Sequence, residues 1–335
     1  MMGGRRYLEL RMKGDPFCAY PYGGLPDAIW NIYPVRGWRI RRIMRFVSKL
    51  RLDRIFLKRV GFPLETYGIS EEAFFNFINQ CTGVERTITA FAWPAPVRSE
   101  DRIYAYAISD GDGQLAGYLK IATCQGEDAK LSCECSAVSG LTARNQELSF
   151  RFPKFIGSTS FDGGVSIYAY QPLPMDAPSF VRWSADSWEK DILPIKKELS
   201  TGTNKHLSRE EAYALDWVKR FTGNASKVQL DNLAIALEDG MDVCATHGDM
   251  ACQNFRYHEG KYWLFDWEEF TMDGPVRADE LSFKLSTFVY DMGKTFRESI
   301  PKMPKREFIA AAAFQVANGL SFKKELSELL NSRIV

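Results

Sequence analysis

The residues that could do chemistry are concentrated in one stretch, residues 243–270. It holds His247, Gly248 and Asp249, then Asn254, then Asp266, Trp267 and Glu268. Two carboxylates and an amide oxygen are hard ligands, suited to Mg²⁺ held jointly with phosphate oxygens. Moving a phosphoryl group needs little more than that metal, a residue to orient the attacking hydroxyl and a cation on the phosphates. Each residue also has a plainer reading. His-Gly-Asp is good turn chemistry, Asn254 would cap a strand, and Asp266 would start a helix or turn. Their order and spacing favour the joint reading.

These residues need elements to position them. Alternating runs on either side of Glu259-Gly260 predict a tight hairpin, with His258 opposite Lys261, Tyr257 opposite Tyr262 and Phe255 opposite Leu264. Asn254 then faces Phe265, and Asp266 reaches the same open mouth. A strict pleat would send the Asn254 and Asp266 side chains to opposite faces, so the ladder must twist or end there. Upstream, Asp242 to Ala245 reads as a short strand feeding the His247-Gly248-Asp249 loop, which brings a second carboxylate near the mouth.

His247-Gly248-Asp249-x-x-x-x-Asn254 followed by Asp266-Trp267-Glu268 resembles the signature of the aminoglycoside phosphotransferase and choline kinase superfamily, which has a protein-kinase-like fold. It is similar in particular to members found among polysaccharide-biosynthesis genes, and Gly274 to Leu281 is similar to their following G-x-P-x-x-D-L stretch. The resemblance implies Asp249 as catalytic base, Asn254 and Asp266 as Mg²⁺ ligands, and Asp279 as a carboxylate bracing the catalytic loop. His247 joins the catalytic candidates as a residue that orients the loop through its ring. Glu268 joins the metal candidates by its place in the Asp-Trp-Glu triplet.

The chain of 335 residues is long enough to bury a large core, and its composition, 45% apolar and 25% charged, is that of an ordinary soluble protein. No run of 18 apolar residues appears, and the N-terminus lacks the apolar core of a secretory signal. The expected place is the cytoplasm, with peripheral contact to the inner face of the membrane as a further expectation. Seven scattered cysteines without paired C-x-x-C motifs argue against a disulfide framework and a zinc site.

Residues 1–80 read as an N-terminal extension. The first 35 are rich in Gly, Pro and aromatics and are expected to be irregular. Residues 36–60 carry ten Lys or Arg against Asp53 alone, a net +9, while residues 61–335 sum to −9. Ile40, Ile43, Met44, Val47, Leu50, Ile55 and Leu57 recur at near-helical spacing, which predicts an amphipathic helix or a pair of them. Such a segment either packs on the body's excess acid or meets an anionic membrane or a phosphorylated glycan. Aromatic interleaving is sparse there, so nucleic acid is not an expected partner. Phe74, Phe75, Phe77 and Ile78 predict a helix that follows.

Residues 81–174 are expected to form a nucleotide-binding lobe. Thr87 to Trp93, Arg102 to Ser109 and Leu115 to Ala122 read as strands, Asp110 to Gly113 as a turn, and Val165 to Tyr170 as the strand before a hinge. Gly117 to Ala122 resembles the third kinase strand, which implies that Lys120 grips the ATP phosphates and that Glu134, on the helix that follows, steadies it. The turn at 94–101 has no glycine, a departure from the kinase pattern.

Residues 175–335 read as a mostly helical catalytic and acceptor lobe, with helices over Ser208 to Phe221, Lys227 to Glu238, Ala278 to Met292 and Lys305 to Leu330. Glu269, Asp273 and Glu280 are read as solvated carboxylates. Trp183, Trp188, Trp217, Trp263 and Trp267 are read as core residues before sugar-stacking ones.

The whole predicts an α+β, two-lobed, protein-kinase-like fold. The activity implied is ATP- and Mg²⁺-dependent phosphorylation of a hydroxyl on a small molecule or glycan, of sugar, amino-sugar or amino-alcohol type. The alternatives are a non-catalytic nucleotide-binding scaffold and a nucleotidyl transferase using the same residues.

Overall fold

The computed structural model describes residues 6–12, 15–25, 45–93, 102–144, 148–174 and 181–332. The chain divides into two compact units, Met1–Ala143 with Pro153–Ser179, and Arg144–Phe152 with Phe180–Val335. Among the described residues no helix is long and apolar enough to cross a membrane. All seven cysteines are free thiols.

The first unit is built on one eight-stranded antiparallel sheet. Its strands are β1 (Tyr7–Met12), β2 (Asp15–Pro21), β3 (Lys58–Val60), β4 (Thr87–Ala92), β5 (Arg102–Ser109), β6 (Leu115–Ala122), β7 (Phe155–Phe161) and β8 (Val165–Tyr170), in the order β3-β1-β2-β4-β5-β6-β8-β7. Strand β8 is buried along its whole length because it lies between β6 and β7. Strand β7, at the edge, alternates toward solvent, and its weak apolar pattern hid it from sequence reading.

Helix α1 (Glu71–Thr82) starts at Ser70, whose hydroxyl accepts the Ala73 amide, and ends at left-handed Gly83. Its Phe74, Phe75 and Ile78 pack with Phe62 against Phe91, Ile103 and Ile167 of the sheet. Helix α2 (Gln125–Ala143) follows β6.

Two expectations for the N-terminal segment are corrected. Residues 7–12 and 15–21 are paired strands, because Tyr7, Leu8, Phe17, Cys18 and Tyr20 bury apolar surface that an irregular chain would leave wet. The amphipathic helix, or pair of helices, expected over 36–60 falls partly outside the described residues. What is described is helical only at 45–49 and Asp53–Phe56 before it turns into β3. Left-handed Arg51, with φ of 58°, and extended Leu57 break the helical run.

The second unit contains β9 (Lys205–Leu207), β10 (Met241–Thr246), β11 (Phe255–His258), β12 (Lys261–Leu264) and β13 (Thr271–Pro275). Its helices are α3 (Leu193–Leu199), α4 (Arg209–Ala214), α5 (Asp216–Thr222), α6 (Lys227–Ala236), α7 (Ala278–Ser286), α8 (Lys305–Ala317) and α9 (Lys323–Leu330). Helix α8 is central because Ala310 to Ala313, all buried, let α5, α6, α7 and α9 pack close around it.

Two of the long helices expected here are divided. Leu215 is extended, ending α4 and starting α5 as its side chain turns into the core. Left-handed Gly319, with φ of 71°, stops α8 before α9. Ser208 and Glu211 form a capping box at the start of α4, and Ser226 with Gln229 makes a second at α6.

Candidate active site

Strands β11 and β12 pair in the register Phe255↔Leu264, Arg256↔Trp263, Tyr257↔Tyr262, His258↔Lys261. Glu259 and Gly260, at φ of 47° and 77°, supply the two left-handed positions of a two-residue type I′ turn. The ladder ends one step above, where the Phe265 amide donates to the Asn254 carbonyl at 3.2 Å. Asp266 then leaves the extended conformation for φ of 72°. That left-handed turn answers the problem posed by the pleat, because beyond Phe265 the alternation of faces no longer applies. Trp267 follows, fully buried, with its indole N–H donating to the Leu264 carbonyl at 3.1 Å.

The loop after β10 is pinned by several elements. Asp279, in the first turn of α7, accepts the His247 amide at 3.1 Å and the Gly248 amide at 3.0 Å. Lys196 of α3 donates to the same carboxylate at 2.8 Å and to the Ala245 carbonyl at 2.8 Å. Gln315 of α8 donates to the Gly248 carbonyl at 3.2 Å. Gly248 has φ of 90°, and a Cβ there would meet the Glu269 carbonyl oxygen at 2.2 Å, so only glycine fits without displacement. His247 is fully buried, its ring centroid 4.5 Å from that of Trp267. Burial pushes its pKa down to about 4, so the ring is neutral near pH 7 and packs rather than carries protons.

Asp249 sits at the centre of this arrangement, half-buried. Its Oδ2 accepts from Asn254 Nδ2 at 3.2 Å, its Oδ1 from Ser282 Oγ at 3.3 Å, and its carbonyl from Asn254 Nδ2 at 2.9 Å. Burial pushes the carboxyl up to about 6, and the neighbouring Asp266 and Glu268 carboxylates push it the same way against the bonds from Asn254 and Ser282. Neighbouring carboxylates that raise the cost of ionising Asp249 are what a bound divalent cation relieves. The Asn254 amide spends its nitrogen on Asp249, leaving its oxygen as the atom suited to a cation. The donor set of Asn254, Asp266 and Glu268 therefore fits Mg²⁺.

In the first unit, Lys120 on β6 and Glu134 on α2 form a buried ion pair, Nζ to Oε2 2.9 Å. One side of α2 rests against β6 and β8, which carries Glu134 to the lysine. A second buried pair lies on the same helix, Arg102 Nε to Glu127 Oε2 at 2.8 Å. Sequence reasoning missed it, although Glu127 and Glu134 are seven residues apart and so share a helix face.

Other expectations are revised by burial. Glu280 is not solvated: it is buried between Arg277 at 2.7 Å and Lys284 at 2.8 Å. Asp273 pairs with Lys205 at 2.8 Å. Burial agrees with the core reading of the tryptophans, since Trp183, Trp188, Trp217, Trp263 and Trp267 are all buried. The glycine-free turn at 94–101 lies outside the described residues. Lys196, Ser282 and Gln315 were not singled out from the sequence. Ser282 lies three residues after Asp279, on the same face of α7, and that spacing is a usable signal. Lys196 gives none, since Lys197 beside it looks the same.

No family model matches the chain, and no curated protein does. Among solved structures, the chain is similar to a thermostable mutant of aminoglycoside phosphotransferase APH(4)-Ia in ternary complex with ADP and hygromycin B. The identity is 11%, the match covers 76% of this chain and 97% of that one, and the TM-score is 0.51. It is also similar to a second structure of APH(4)-Ia, at 11% identity, 78% and 98% coverage and a TM-score of 0.49. The GDP complex of aminoglycoside 2'-phosphotransferase-IIIa matches at 11% identity, 78% and 99% coverage and a TM-score of 0.47. The chain thus adopts the α+β, protein-kinase-like fold of the aminoglycoside phosphotransferases.

Proposed function

We propose that this protein transfers the γ-phosphoryl group of ATP to a hydroxyl of a small molecule or glycan. The observation that carries the reading is the grouping of Asp249, Asn254, Asp266 and Glu268 at one hairpin mouth, on a loop braced by Asp279. Asp249 would orient the acceptor hydroxyl and take its proton as the bond to phosphorus forms. Asn254 and Asp266, with Glu268, would hold Mg²⁺, which supplies charge neutralisation on the phosphate oxygens. Lys120 would bind the nucleotide phosphates, its ammonium held in place by Glu134. His247 would keep the loop in shape through its packing on Trp267.

Support for a small-molecule acceptor comes from the fold, shared with an enzyme solved with ADP and hygromycin B. A sugar, amino-sugar or amino-alcohol is proposed because the site's surplus of carboxylates suits a polyhydroxylated or cationic acceptor. Contact of residues 36–60 with an anionic surface is a separate matter from this chemistry.

The test incubates the protein with Mg²⁺ and γ-labelled ATP against pooled small molecules and glycans, beside Asp249→Asn. Label entering one fraction only with the unmutated protein supports the reading and identifies the acceptor class. Mg-ATP binding with no label transferred, or release of pyrophosphate in place of ADP, overturns it.

A further inference from the structure

Phe46, Leu50, Leu52, Ile55 and Phe56 are 61, 52, 36, 73 and 77% exposed. They are five of the eleven large apolar side chains left exposed among the described residues. Single exposed apolar residues are ordinary, but five within eleven consecutive positions make a patch. Lys49, Arg51 and Lys58, in the same segment, are exposed as well.

The segment is held against the sheet from its other side. Asp53 is buried and accepts the Tyr20 hydroxyl at 2.8 Å. Leu57 packs in the cluster of Leu8, Phe17 and Tyr20. Strand β3 pairs with β1, and the guanidiniums of Arg54 and Arg59 lie 4.6 and 4.9 Å from the centroid of the Tyr22 ring. These anchors fix which side chains remain outward, and Ile55 and Phe56 are the most exposed of them.

We infer that residues 45–59 dock the protein onto an anionic lipid surface. Charge decides among the possible occupants. A second copy of the chain would set the +9 of residues 36–60 against itself. A soluble phosphorylated glycan or a nucleic acid would use the cations and leave Leu50, Leu52 and Ile55 without a role. A bilayer with acidic headgroups takes both, the cations at the phosphates and the apolar tips among the upper acyl carbons. The −9 carried by residues 61–335 is repelled by the same surface, so the approach is oriented as well as attractive. This surface is independent of the phosphoryl-transfer reading.

The test sediments the full-length protein with vesicles of phosphatidylcholine alone and with vesicles about one third phosphatidylglycerol. Binding is expected only to the acidic vesicles, falling about tenfold or more when salt is raised. The pair Ile55→Ser with Phe56→Ser, and separately Phe46→Ser, are each expected to weaken it about tenfold, while Leu230→Ser, at an exposed site elsewhere, leaves it unchanged. Each variant is checked for unaltered circular dichroism and melting. Absence of binding to acidic vesicles, binding indifferent to Ile55, Phe56 and Phe46, or a concentration-dependent dimer lost in those variants overturns the inference. So does equal affinity for soluble polyphosphate or RNA.

Discussion

Lys196 Nζ lies 2.8 Å from Asp279 Oδ2 with both side chains buried, and the same carboxylate holds the His247 and Gly248 amides. The loop that presents Asp249 is therefore braced through this buried ion pair, beside the bond from Gln315 to the Gly248 carbonyl. Removing one partner of a buried pair leaves the other charge uncompensated, which costs about 3–5 kcal/mol. Lys196→Met is expected to lose about 3 kcal/mol in denaturant titration. Asp279→Ala should lose more, because it also orphans two backbone N–H groups at about 1–3 kcal/mol each. A loss no larger than that of an ordinary surface change would show that the loop is held by other means.

Gly248→Ala places a methyl group 2.2 Å from the Glu269 carbonyl oxygen at a left-handed position. The expected result is a loss of about 2 kcal/mol or more, with reduced phosphotransfer as the Asp249 loop shifts. Gly140→Ala is the contrasting case, exposed in α2 with nothing near its Cβ, and should gain about 0.5–1 kcal/mol. Thermal melts of the two variants side by side check both signs. Equal behaviour would remove the steric account of Gly248.

Glu134→Gln keeps a hydrogen-bond acceptor for Lys120 but removes its charge. If the pair positions the ammonium for nucleotide phosphates, ATP affinity should fall by about tenfold while the fold survives. Titration with a fluorescent nucleotide measures this directly. Unchanged affinity would leave Lys120 and Glu134 as a structural pair only.

Two histidines should titrate in opposite directions. His206 bonds to Asp242 Oδ1 at 2.7 Å and to the Asp239 carbonyl, and these partners hold its pKa above the ordinary value. Its stabilising contact is complete below that ordinary value and is lost as pH rises through the raised one. Buried His247 should stay neutral down to about pH 4, so stability should fall as pH drops from its ordinary value toward that point, where the unfolded chain binds the proton and the folded one does not. Histidine resonances followed by NMR against pH separate the two, and Asp242→Asn should return His206 toward its ordinary value. A high-titrating His247 would contradict the burial described for it.

The local parts of the candidate site were legible because they depend on neighbours in sequence. The Glu259-Gly260 turn requires one register, and that register brings Asn254 level with Phe265 whatever surrounds the hairpin. Strands β5, β6 and β8 appeared with their observed limits because burial on both faces leaves a continuous apolar signature. Edge strand β7 and strand β2 escaped because their signal is diluted by Gly, Ser, Thr or Pro.

The sequence by itself determined which residues are proposed for the chemistry, His247 to Asn254 and Asp266 to Glu268, since residue type and spacing are properties of the chain alone. Only the tertiary structure decided how they are held. The left-handed turn at Asp266, the burial that keeps His247 neutral and the choice of Lys196 over Lys197 as partner for Asp279 all follow from packing between segments distant in sequence. The physical reason is that burial and long-range pairing set the energy of a charge, and a single lysine or carboxylate looks the same in sequence whether it ends in solvent or in the core.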